Sequence, residues 1–326
     1  MGNLQFKRLS LLGCFCLKSE SLINAKINFL AFYYFFFYLF IIIDLMSNII
    51  IGKKKYEIKN FDTGGNNKGY IDYTTTKIGK ILYLSDKRQM DKTLDSEGYG
   101  ENPYREIEIH KQCNKLVKNK FTSNLVKYYK YYTYNDNIII IMDKYDGNLE
   151  KIIDKLTIEQ LWSVFSQIFL TFMILQEKLG FYQGDFGLTN ILYKKVNKSK
   201  KYFIYKYNGD KFRVPNEGYE IFVSDYGNAL IKTFKLEQSE KEYYDIKIEK
   251  KIELYEILIL LSKYMKKLNI NDNKYYRNKY QMIQNFIYNN IKFNLYNCNY
   301  TINDTLTTSI NDEYIMNNIY NDFIVK

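Results

Sequence analysis

Two acidic stretches hold the residues best suited to chemistry. Leu179–Tyr193 reads LGFYQGDFGLTNILY and sets Asp185 and Asn190 five residues apart, after a helix-stopping Gly180. Tyr219–Gly227 reads YEIFVSDYG, a β-rich run ending in Asp225-Tyr226-Gly227. Phosphoryl transfer needs a carboxylate to orient the attacking hydroxyl, and an Asn with a second carboxylate to hold Mg²⁺ against phosphates. Mg²⁺ is a hard cation that takes such oxygen ligands. The rest of the composition narrows the field. The chain has 326 residues and a single His, His110. Zinc sites built on several His, HExxH metalloproteases and the two-His iron triad are therefore excluded. Cys14, Cys16, Cys113 and Cys298 form neither a disulfide framework nor a zinc knuckle. A reducing, intracellular compartment is the default.

Several elements must position these residues. Thr157 to Lys178 predicts an amphipathic helix that leads into the Asp185 loop. Thr157 and Gln160 can form a capping box, and Leu161, Phe165, Ile168, Phe169 and Phe172 recur at helical spacing. Tyr104–Val117 predicts a helix opening after Pro103, with Glu106 and the single His110 on it. His110 is expected to be a surface or packing residue. Lys80–Ser85, Leu125–Tyr132 and Asn137–Met142 read as strands. Gly64-Gly65-Asn66-Asn67-Lys68-Gly69-Tyr70-Ile71 is glycine-rich, and glycines let a backbone approach phosphate closely. It also suits a plain β-turn. Tyr202–Gly218 reads as a long connector. Leu254, Ile257, Leu258 and Leu261 predict a helix over Ile252–Lys267, and the last sixty or so residues have weaker periodicity.

The ordered set of motifs resembles the protein kinase family, and more specifically the divergent Ser/Thr kinase-like proteins of giant DNA viruses, which carry a similar long connector. The resemblance runs from about Tyr56 to Tyr264. It implies an α+β, bilobal protein-kinase-like fold over residues 46–326, with a small β-rich N-lobe over about 50–145 and a larger helical C-lobe over about 146–326. Asp185 then matches the catalytic-loop Asp, Asn190 the metal-binding Asn and Asp225 the Asp of the DFG motif. Gly64, Gly65, Gly69 and Ile71 match the glycine-rich loop over ATP. Met142 would back the adenine pocket, and the backbone around Asp143–Tyr145 would bond adenine. Glu106 would pair with a strand Lys. Spacing from the glycine loop points to Lys87, apolar alignment to Tyr83, and Lys80 is a third choice. ATP and Mg²⁺ are the implied cofactors, and an unidentified Ser/Thr protein the substrate. The resemblance matches Asp245 to an Asp that buttresses the catalytic loop.

The sequence also departs from the family. Gln183 stands at the catalytic-loop His, Gly184 at its Arg and Gly187 at a Lys common in Ser/Thr kinases. That Arg normally answers a phosphate on the activation segment, so regulation of that kind is not expected here. The segment after Gly227 is short and no A-P-E motif follows. These departures keep two alternatives open: a pseudokinase that binds without catalysis, and a small-molecule phosphotransferase, whose loop Gln183-Gly184-Asp185 fits as well.

Residues 1–45 form a hydrophobic N-terminal extension. Phe29–Ile43 is unbroken apolar sequence, about 22 Å as a helix against the roughly 30 Å a bilayer core requires. Extended to 27–46 it is borderline for a single-pass anchor on an intracellular, cytoplasmic-side protein. Met46 is an alternative start. The net charge of +11 raises the question of polyanion partners. The abundance of Lys, Asn, Ile and Tyr follows AT-rich coding, so nucleic acid is not expected as a partner.

Overall fold

The computed structural model describes residues 48–60, 69–83, 103–134, 137–236, 238–249, 251–268, 270, 273–290, 315–316 and 318–324. The chain divides into two compact units, 1–49 and 50–326. The second is a mixed protein of several helices and small sheets, compatible with an α+β class.

After β1 (Asn48–Ile51) come β2 (Lys54–Glu57), β3 (Lys59–Asn60), β4 (Gly69–Asp72) and β5 (Lys77–Tyr83), then α1 (Pro103–Lys118), β6 (Tyr128–Tyr134) and β7 (Asn137–Asp143). Strands β3-β4-β5-β7-β6 form an antiparallel sheet in that order. Its interior strand β7 buries Ile138 to Met142 without a break. One sheet face packs Leu82, Ile138, Ile140 and Met142 with Ile107 of α1. The opposite face is tighter. A Cβ on Gly79 would lie 2.8 Å from Ile71 and 2.9 Å from Ile139, so only glycine fits there.

The second core surrounds a long central helix, α2 (Ile158–Leu179), which follows β8 (Gly147–Asn148) and two 3₁₀ turns. Its capping box at Thr157 and Gln160 is formed, and Gly180 ends it in the left-handed region at φ 58°. Among the described residues α2 is the helix long and apolar enough to cross a membrane, but 83% of its apolar window is buried within the protein, as in a core helix. The apolar run expected to serve as an anchor, 27–46, lies outside the described residues.

Then come β9 (Ile191–Lys195), β10 (Tyr202–Tyr207), β11 (Asp210–Pro215) and β12 (Tyr219–Val223), with α3 (Gln238–Glu249), α4 (Ile252–Lys267) and α5 (Lys274–Asn290) behind them. Strand β9 pairs with β12, so the residues just after Asn190 run beside those just before Asp225. The expected connector is a hairpin, β10–β11, turned at Asn208 (φ 48°) and Gly209 (φ 86°). Asn-Gly between alternating apolar residues is the strongest short-range hairpin signal a sequence offers.

Candidate functional site

Strand alternation places Lys80 on the face of β5 that carries Ile78 and Leu82, directly beneath α1. Its Nζ lies 2.7 Å from Glu106 Oε1 of α1 and 2.8 Å from Asp225 Oδ1. The Glu106 side chain is 1% exposed and that of Asp225 30%. Burial alone would lower the pKa of Lys80, but the carboxylates of Asp225 and Glu106 outweigh it and hold the ammonium above the ordinary lysine range. Burial likewise pushes Glu106 up, and the charge of Lys80 reverses the shift to below the usual carboxylate range. Lys80, the third choice for the strand residue, is thus ion-paired to Glu106. Lys87 lies outside the described residues. Strand β5 begins three residues earlier than the predicted Lys80–Ser85, and that offset moved the expected lysine position to Tyr83.

His110, one turn along α1, is 1% exposed, so of the two roles expected it is a packing residue and not a surface one. Its ring stacks on Tyr128 at 5.6 Å and meets the edge of Tyr226 at 4.8 Å. Its Nε2 is 3.7 Å from Glu106 Oε1, beyond hydrogen-bond range. Tyr226 is fully buried, and its hydroxyl donates to the Val223 carbonyl at 2.7 Å. The preceding Asp225 sits in the left-handed region at φ 59°, a conformation Asp tolerates better than most residues.

Asp185 is exposed and Asn190 half-buried. Asn190 Nδ2 donates to the Asp185 carbonyl at 2.8 Å, and Ser224 bonds the Asn190 carbonyl through both N–H (3.0 Å) and hydroxyl (2.7 Å). Those bonds tie the Asp185 loop to the residue preceding Asp225. The loop is also held from below. Glu253 of α4 is 1% exposed, and its Oε1 accepts the N–H groups of Gln183 (2.5 Å) and Gly184 (3.1 Å). Burial and the nearby Glu256 push the Glu253 carboxyl up to about 8. Asp245, the residue considered for this buttress, is exposed on α3. Gln183 is fully buried and donates its side-chain N–H to the Ser224 carbonyl at 2.8 Å.

The glycine at 184 has a steric cause. Its φ is 78°, and a Cβ there would stand 2.7 Å from the Asn228 carbonyl oxygen. An arginine has no room in this loop, whatever its charge could do.

The residues expected around a nucleotide are only partly assembled. Gly64 and Gly65 lie outside the described residues. Gly69 begins β4. Ile71 is fully buried, packed toward Gly79 on the sheet face opposite Lys80, so it does not face the Lys80 pair. Met142 lies on the Lys80 face. The backbone N–H groups of Asp143, Lys144 and Asp146 already donate to the Lys127, Thr76 and Tyr193 carbonyls, whereas the Tyr145 N–H has no backbone partner among the described residues. Tyr145 itself packs on Phe222 with ring centroids 4.6 Å apart. No cluster of three or more His, Cys, Asp or Glu able to hold a metal occurs among the described residues.

Comparison with known proteins gives one partial similarity. Over 87 residues the chain is 33% identical to the Frog virus 3 (isolate Goorha) protein named "Putative serine/threonine-protein kinase 019R". The match covers 26% of this chain and 10% of that protein. It supports a kinase-like relation at that level. No family model matches the chain.

Proposed function

We propose that this chain is an ATP-dependent phosphotransferase of the protein-kinase type, acting on Ser or Thr hydroxyls of a protein. One observation carries the reading: a buried lysine on the sheet paired at once with a helix carboxylate and with the Asp of Asp225-Tyr226-Gly227. A strand-Lys to helix-Glu pair beside a metal-binding Asp is the arrangement phosphoryl transfer by kinases requires. The motif Lys77-Ile78-Gly79-Lys80 ends in that lysine, as V-A-I-K does. In this reading the five-stranded sheet with α1 is the smaller lobe and the α2-centred core the larger.

Each residue then has a task. Asp185, exposed beside Asn190, accepts the proton of the acceptor hydroxyl as its oxygen bonds to phosphorus and the bond to ADP breaks. Lys80, held charged by Glu106, neutralises phosphate oxygens. Asn190 and Asp225 supply a carboxamide and a carboxylate, oxygen donors of the kind Mg²⁺ takes when substrate phosphates complete its shell. A bound Mg²⁺ there would offset phosphate charge. The Tyr145 N–H and Met142 would meet adenine, and Gly64–Gly69 would cover the phosphates.

The test is ³²P transfer from Mg-ATP by the full chain, offered Ser/Thr protein acceptors in one series and aminoglycosides or choline in another. Labelled protein that falls by roughly 10²–10⁴-fold in Asp185→Asn supports the proposal. Label on small molecules alone points to a small-molecule phosphotransferase. ATP binding with equal, background transfer in parent and variant leaves a non-catalytic binding module and overturns the enzyme reading.

A further inference from the structure

Hairpin β10–β11 takes no part in the site just described, and its two faces differ sharply. The inner face buries Phe203, Tyr205, Phe212 and Val214 in the core around α2. On the outer face Tyr202 and Ile204 are each 43% exposed. Lys211 and Arg213 beside them are exposed. Across the pair, Ile204 stands opposite Arg213 and Lys206 opposite Lys211. Like charges directly opposite in an antiparallel pair destabilise it. Among the described residues, none of Lys206, Lys211 and Arg213 has a carboxylate within ion-pair distance. Among the described residues, the hairpin therefore holds three cations without a paired carboxylate around two solvent-facing apolar side chains.

The geometry points to a docking face for an extended acidic peptide segment of a partner protein, in which carboxylates alternate with apolar residues. Side chains on one face of an extended peptide recur every second residue, the same period as Tyr202, Ile204 and Lys206. Carboxylates would answer the three cations, and apolar side chains would cover Tyr202 and Ile204. A nucleic-acid backbone would answer the cations but brings no apolar counterpart for Ile204. The hairpin leaves β9 and β12 at Lys195 and Tyr219, the strand ends remote from Asn190 and Asp225. Five residues of strand put the base of the hairpin about 16 Å from those residues, while its tip at Asn208 lies beside Glu177 at the end of α2. The inference does not rest on phosphoryl transfer, because docking is read without nucleotide.

The experiment is fluorescence anisotropy of a fluorescein-labelled peptide of alternating Glu and Leu, titrated with the full chain at near-physiological salt. The comparison is with Lys211→Glu/Arg213→Glu, with Ile204→Ser, and with the charge-matched control Lys263→Glu/Lys266→Glu on exposed positions of α4. Expected are a loss of at least roughly ten-fold in the hairpin double variant, a roughly five-fold loss in Ile204→Ser, and little change in the control. Lys211→Glu alone should weaken binding while melting no lower than the parent, since it replaces a like-charge pair with an opposite one. Equal losses in the hairpin and control variants would show general polyanion attraction and overturn the proposal. So would an unchanged Ile204→Ser, or duplex DNA bound more tightly than the peptide through the same residues.

Discussion

Replacing Lys80 with Met should test the site through stability as well as activity. The substitution keeps the length of the stem and removes the ammonium, leaving Glu106 with 1% exposure and no cation within 3 Å. Removing one partner of a buried ion pair costs about 3–5 kcal/mol, because the remaining charge is stranded. Asp225 adds little to that cost, since its side chain is 30% exposed and can hydrate. For a domain of this size the loss corresponds to a drop of roughly 5–9 °C in melting temperature. The sign with pH is distinctive. In the parent, Glu106 titrates below its ordinary value, so its contribution is present above about pH 4.5 and fades as pH falls through the folded value. In Lys80→Met, burial is no longer opposed by Lys80, so the folded carboxyl moves above its unfolded value. Its contribution is then complete at low pH and is lost as pH rises. Above about pH 4.5 Glu106 should therefore add a falling slope of stability in the variant and almost none in the parent, measured by urea unfolding across a pH series. The double variant Lys80→Met/Glu106→Met buries neither charge and should recover to within about 1–2 kcal/mol of the parent, with transfer activity still absent. Additive losses in the double variant, or a single-variant cost below about 1 kcal/mol, would refute the buried pair as described.

Four further outcomes can be checked. Glu253 titrates near 8, so the stability it lends is complete below about pH 4.5 and declines as pH rises through 8. Glu253→Gln, which keeps an acceptor for Gln183 and Gly184, should flatten that decline in denaturation curves at pH 6 and 9. Glu253→Ala should cost about 1–3 kcal/mol at both pH values by orphaning two buried N–H groups. Gly184→Ala should cost about 1–3 kcal/mol, from left-handed strain and the Asn228 clash. Gly79→Val should lower the melting temperature by overpacking against Ile71 and Ile139, about 1–3 kcal/mol, read by thermal denaturation.

The parts of the site that are local in sequence were legible in it. Asp185, Asn190 and Asp225 sit at fixed offsets within two short motifs, and the Thr157 capping box and Gly180 stop marked the helix leading to them. Glu106 was found through the helical spacing around it. Residues that depend on a strand edge or on distant packing were harder. Lys80 belongs to a strand starting at Lys77 after the Thr74–Thr76 turn, and the apolar run KILYLS obscured that start. The alternation Ile78, Lys80, Leu82 on one face was the available signal. Glu253 sits with Glu256 in an apolar helix, where such carboxylates read as the polar side of an amphipathic stripe. Only the fold reveals that the Asp185 loop lies against it. The β10–β11 hairpin is signalled locally by Asn208-Gly209, a turn signal that the length and polarity of the surrounding connector conceal.

The Tyr226 hydroxyl bears on inhibitor design. Its ring is fully buried, bracketed by His110 and Phe181, and its O–H is committed to the Val223 carbonyl. A compound reaching behind Asp225 would have to evict a phenol and orphan that carbonyl. The second penalty alone is about 1–3 kcal/mol, and exposing the ring adds a similar amount. Together they weaken such a compound by roughly two to four orders of magnitude, at about 1.4 kcal/mol per tenfold. Ligands of the Lys80 site should instead leave the space behind Tyr226 alone.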